Sequence, residues 1–210
     1  MKEEMKRIVC ALVLLSVGLV GCYRRQVSEF QQKTAENVPV LKQFIGNTDI
    51  VIVKHFFMPV ELVSTDREKY INPGHIDLGA LVAYQPGKES SRLKGLRVEV
   101  VSTYVELNAY SHPDKHVSFL DEDEARDMAT ALSYFKQVNG TWVTNPPSDN
   151  VEVMFASKDD FRISLLRDAK MGNTLFFQSG NASFALPITE LDNLQKGMDS
   201  VLQTLKNNEK

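Results

Sequence analysis

Cysteine is nearly missing from this chain: two in 210 residues, Cys10 and Cys22. Neither falls in the long stretch after residue 22, so that stretch has no internal disulfide, no cysteine-based metal site and no thiol nucleophile. Histidine is almost as scarce at four, and tryptophan occurs once, as Trp142. No cluster of basic residues is present, and the net charge is −3, which argues against nucleic acid as a partner. The spacings HExxH, GxSxG, paired CxxC, the phosphate-cradling Gly-Lys-Ser/Thr loop and the dinucleotide glycine signature are all absent. Nothing in the chain calls for a cofactor. The one long apolar run, Ile8 to Val20, is 13 residues. As a helix it is about 20 Å long, short of the roughly 30 Å of hydrocarbon that a permanent span crosses.

That run carries the most specific signal in the sequence. Lys2, Lys6 and Arg7 precede it, partly offset by Glu3 and Glu4, and Leu19-Val20-Gly21-Cys22 closes it. A basic segment followed by a short apolar core is the pattern of a secretory signal, and a start at Met5 gives it a more typical opening. Leu19-Val20-Gly21-Cys22 resembles the lipobox of bacterial lipoproteins: an aliphatic residue, a small or β-branched one, a small one, then cysteine. The resemblance covers only the first 22 residues. It implies cleavage after Gly21 and lipidation of Cys22, with the bilayer as a partner through the acyl chains. Tyr23, not aspartate, follows the cysteine. In Gram-negative members of the class this favours the outer membrane, facing the periplasm; in other hosts the expected location is the cell surface. An ordinary signal peptide with a chance cysteine, or a short anchor helix, is the competing reading.

The expected organisation is a signal over residues 1–21, a tether over 22–48 containing a short helix near Val40–Ile45, and a single α+β domain over 49–210. Ile50 to Val53 is a β-branched run expected in a strand covered on both faces, and Pro59 requires a bulge, a bend or an edge in its continuation. Ile76–Tyr84 forms the next strand. Leu96, Val98 and Val100 alternate with Arg97 and Glu99, which predicts a strand with one wet face. His112-Pro113-Asp114 reads as a turn and His116–Leu120 as a short strand. Asp121 and Glu124 have capping-box spacing at the start of a helix whose apolar face is Ala125, Met128, Ala129, Leu132, Phe135 and Val138. Asn139-Gly140 is expected to end it. Hairpins follow around Lys158-Asp159-Asp160 and Gly180-Asn181, and then the amphipathic helix Ile188–Leu205.

Two short matches at an offset of 65 point to two meander-plus-helix halves, 49–140 and 141–210. Val117-Ser118-Phe119 pairs with Ala182-Ser183-Phe184, and Leu96-Arg97-Val98 with Phe161-Arg162-Ile163. Chance likeness between amphipathic strands competes with duplication. The body is also similar to uncharacterised secreted bacterial proteins, through Ser118-Phe119-Leu120-Asp121 and Lys158-Asp159-Asp160-Phe161. This resemblance implies an architecture with no assigned activity.

Candidate chemistry is thin. His112 and His116 have the i, i+4 spacing that joins two imidazoles on a helix, with Asp114 between them as a third metal ligand. The bland alternative is two surface histidines. Asp121-Glu122-Asp123-Glu124 fits the first turn of a helix better than a calcium site, which needs ligands spread around a glycine turn. Phe56 and Phe57 are either core or a landing patch, and Trp142 is a loop aromatic able to anchor a partner. The favoured function is a lipid-anchored, non-enzymatic binding or scaffolding module with an envelope protein as partner. The alternative is an envelope hydrolase or metal-dependent enzyme using His112, His116 and nearby carboxylates. Oligomeric state is not legible.

Overall fold

The computed structural model describes residues 38–63, 74–105, 111–147, 150–168 and 172–208. Its strands are β1 (Ile52–Val63), β2 (Gly74–Tyr84), β3 (Leu93–Val105), β4 (Ser111–Asp121), β5 (Val151–Ala156), β6 (Phe161–Asp168), β7 (Gly172–Ser179) and β8 (Ala182–Pro187). Its helices are α1 (Val40–Asn47), α2 (Glu122–Thr144) and α3 (Leu191–Asn207). The strands form two four-stranded antiparallel meanders, β1-β2-β3-β4 and β5-β6-β7-β8, and each is followed by a helix, α2 or α3. The class is α+β, with two meander-plus-helix halves.

One core joins the halves. Ile76, Leu78, Leu96, Val98, Val100 and Leu120 line the inner face of the first sheet. Phe161, Ile163, Leu165, Phe177, Phe184 and Leu186 line that of the second, and both helices add their apolar stripes. Phe177 and Phe184 stack with centroids 5.0 Å apart. The opposite face of the first sheet carries a separate, smaller cluster, Leu41, Leu81 and Ala83, flanked by Phe44, Ile45, Val51, Val53, Leu93 and Phe119. There α1 lies across β2, β3 and β4. The compact unit therefore begins at Pro39, not at Asp49: the helix expected within a tether is part of the body.

Other elements differ from what local pattern predicts, for identifiable reasons. Ile50 precedes β1 and is 68% exposed, and Ile52 is also exposed, because β1 is an edge strand and not one covered on both faces. The doubly covered strand is β2, buried without interruption from Leu78 to Tyr84. Pro59 falls where the β1–β2 register shifts, between Met58 and Leu62. The polar side of β3 is not wet: Glu99 is 8% exposed, held by Arg97 and by Lys115 at 2.6 Å. His112-Pro113-Asp114 is strand, not turn, paired with Thr103 and its neighbours. Proline is tolerated because β4 is an edge, where its missing N–H deprives no ladder.

Helix α2 does begin with the capping box of Asp121 and Glu124, and buries Ala125, Met128, Ala129, Leu132 and Phe135. It does not stop at Asn139-Gly140. It continues to Thr144 and carries Trp142, seven residues beyond Phe135, into the core. A glycine in a helix costs about 1 kcal/mol; burying an indole outweighs it. Asn139 stays helical with its side-chain oxygen accepting from Asn173 of β7 at 2.7 Å.

The halves are real as elements, but the matches at offset 65 do not trace them. Leu96-Arg97-Val98 lies in a third strand and Phe161-Arg162-Ile163 in a second. Val117-Ser118-Phe119 and Ala182-Ser183-Phe184 both lie in fourth strands, yet in opposite phase: Ser118 is buried and Phe119 is not, whereas Phe184 is buried and Ser183 is not. With a side-chain period of two, that is a one-residue slip.

Candidate functional site

The residues with chemical potential gather where β4 meets the second sheet. Along β4 the side chains at 114, 116, 118 and 120 share one face. Neighbours on that face are about 7 Å apart, so His112 and His116 stand about 13 Å apart along the strand. The i, i+4 spacing that brings two positions together on a helix keeps these two positions apart on a strand. The side chain of His112 is not among those described. Asp114 is half-buried, and no group of three or more metal-ligating side chains exists among the described residues.

His116 belongs instead to a buried relay of hydroxyls. Its Nδ1 lies 2.7 Å from Ser179 Oγ, which lies 2.6 Å from Ser118 Oγ, which lies 2.6 Å from the backbone oxygen of Asp159. A carbonyl only accepts, so the single hydrogen of Ser118 goes to Asp159. Ser118 must then accept from Ser179, and Ser179 from His116. The chain runs one way, Nδ1–H to Ser179 to Ser118 to the carbonyl. Both serines are fully buried. This polarity is the reverse of an activated serine, whose hydroxyl donates to the histidine. No hydrogen bond to Nε2 is found among the described residues, and His116 is half-buried. The ring rests on Gly180 (φ 52°): a Cβ there would come within 2.6 Å of the imidazole.

A second group of polar residues sits beside this relay and joins three elements. Asp159, in the β5–β6 turn, is buried, and its carboxylate accepts from Phe119 N at 2.8 Å on the free edge of β4 and from Lys42 of α1. The turn is made by its neighbour Asp160, which holds the left-handed φ of 56°. Asp121 caps α2 and also accepts from Val40 N and Leu41 N, each at 2.9 Å, so one carboxylate serves the first turns of two helices. Glu124 accepts from Asp121 N at 3.1 Å and Lys158 N at 2.8 Å. Burial pushes the Glu124 carboxyl above its ordinary range, against those two hydrogen bonds.

No protein family, curated protein or solved structure matches this chain. The remaining candidates separate cleanly. Phe56 is half-buried and packs on the main core. Phe57 points the other way, 65% exposed and stacked on His55 with centroids 5.7 Å apart. Trp142 is core and not a loop anchor. Gly21 and Cys22 lie outside the described residues. Ser179 and Lys42 are not distinguished by any local pattern, and Ser118 enters the sequence reading only within short motifs that assign it no role. Asp121 was legible as the cap of α2, but its second role, across 80 residues, was not.

Proposed function

We propose that this chain is a bacterial lipoprotein, held at the cell envelope through an acylated Cys22, whose α+β body is a non-enzymatic binding or scaffolding module. The observation that carries the proposal is the basic segment and short apolar core running into Leu19-Val20-Gly21-Cys22. Burying acyl chains stabilises attachment by about 0.8 kcal/mol per CH₂, and two or three chains make it durable. None of the described helices is long and apolar enough to cross a membrane. With Tyr23 after the cysteine, the body faces the periplasm from the outer membrane in a Gram-negative host, or stands at the cell surface in any other.

The binding reading draws support from the polar residues themselves. His116 spends its Nδ1 hydrogen on a structural relay, and the carboxylates of Asp121 and Asp159 are occupied by backbone amides and Lys42. Phe57, stacked on His55 and lying over Gly79, is the exposed aromatic best placed to meet an envelope protein. The anchor is tested with Cys22→Ser in cells fed radiolabelled fatty acid. The variant is expected to lose the label and leave the membrane pellet. A variant that still pellets with undiminished label ends the proposal.

A further inference from the structure

Helix α1 is built to depend on its docking site. It has eight residues, VLKQFIGN, too few for a helix to persist alone in water and rich in weak helix formers. Its first turn has no acidic residue, its last turn no basic one, and Pro39 offers no side-chain cap. Its ties to Asp121 and Asp159 come from far along the chain. Asp121 accepts its first two amide hydrogens, and Asp159 takes the Lys42 ammonium. Leu41, fully buried, drops into a gap made by Gly95, where a Cβ would lie 2.7 Å from Leu41 Cδ2.

The floor beneath it is equally separable. Leu81 and Ala83 form a cluster distinct from the main core. The β2–β3–β4 ladder and the opposite face of the first sheet hold that floor in place without α1. Removing α1 costs the small cluster and the ties to Asp121 and Asp159, and leaves the joint core of the two halves whole.

We propose that α1 is a strap: it undocks and unwinds as one unit, uncovering an apolar groove floored by Leu81 and Ala83 and edged by the carboxylates of Asp121 and Asp159. The open groove is suited to an amphipathic helix with an aliphatic residue in its first turn and a basic one beside it, the chemistry α1 itself presents. If the body is anchored through Cys22, α1 is the first described helix after the anchor, and a pull on the tether reaches it first. That last clause rests on the anchor; the opening does not.

Thiol labelling of the full chain tests it. Ala83→Cys places a thiol under α1, and Ala80→Cys one in the main core; peptide mapping separates both from Cys10 and Cys22. The thiol at 83 is expected to react at least about tenfold faster than that at 80, through strap opening. Adding Asp121→Asn should speed the first on the order of tenfold by weakening two charge-assisted hydrogen bonds, and leave the second unchanged. Because Asp121 also caps α2, Lys42→Met is the companion variant, loosening only the tie to Asp159, and should act in the same direction. Equal rates at 83 and 80, or no response at 83 to either variant, overturns the strap. Neither result depends on whether Cys22 is acylated.

Discussion

Ser118 has one hydroxyl hydrogen, and its commitment to the Asp159 carbonyl sets the tautomer of a histidine two hydrogen bonds away. His116 in its neutral form therefore carries its proton on Nδ1. Nitrogen chemical shifts of the ring should show Nε2 as the unprotonated nitrogen. Ser179→Ala removes the acceptor, and the tautomer ratio should then shift towards the Nε2–H form. The same substitution leaves Ser118 without its buried donor, which costs about 1–3 kcal/mol in a denaturant melt. Nothing in the sequence around His116 announces this, because its direct partner Ser179 lies 63 residues away and Asp159, which fixes the direction of the relay, lies 41 residues from Ser118. The i, i+4 spacing with His112 pointed to a helix-like pair, and the strand conformation of β4 dissolved it.

At the level of elements, the amphipathic helices were legible because their buried residues recur every three or four positions, and α3 buries Leu191, Leu194, Met198, Val201 and Leu205 in that rhythm. The end of α2 was not, because Asn139-Gly140 is a sound local stop signal that tertiary burial overrides. Trp142→Ala should cost about 3–5 kcal/mol, as for other buried aromatic truncations, and lower the melting temperature by roughly 2–4 °C per kcal/mol. Circular dichroism should also lose the last turn of α2, since with the indole gone Gly140 again becomes the better terminus. A loop-anchor role for Trp142 would leave both measurements unchanged.

Across the whole molecule, ionisable groups respond to acid in opposite senses. Burial raises the Glu99 carboxyl, but hydrogen bonds from Lys115 and Arg97 outweigh it, and the net position lies below the ordinary 4.5. Burial likewise raises Glu122, and Lys94 and Arg126 overcome it. Both contribute stability that is complete above 4.5 and is lost as pH falls through their lowered values. Glu124 is shifted upward, so its contribution is present below 4.5 and lost as pH rises through its raised value. In urea melts across pH, Glu99→Gln should be destabilised by about 1–2 kcal/mol at neutral pH and converge on the wild type in acid. Glu124→Gln should improve relative to the wild type as pH rises above 4.5. Parallel profiles for the two variants would show that the two carboxyls are not shifted in opposite directions.

Composition and local order were enough to determine the α+β class, most strands, both long helices with the capping box of α2, and the apolar run Ile8–Val20 ahead of Gly21-Cys22. These depend on residue type and on spacings of two to four, which short peptide segments already express. Only the tertiary structure decided that β1 is an exposed edge, that Glu99 is buried, that Trp142 is core, and that Asp121 and Asp159 hold α1 in place. Each of those outcomes is set by neighbours from distant parts of the chain, because burial and a carboxylate's choice of partner are properties of the packed molecule.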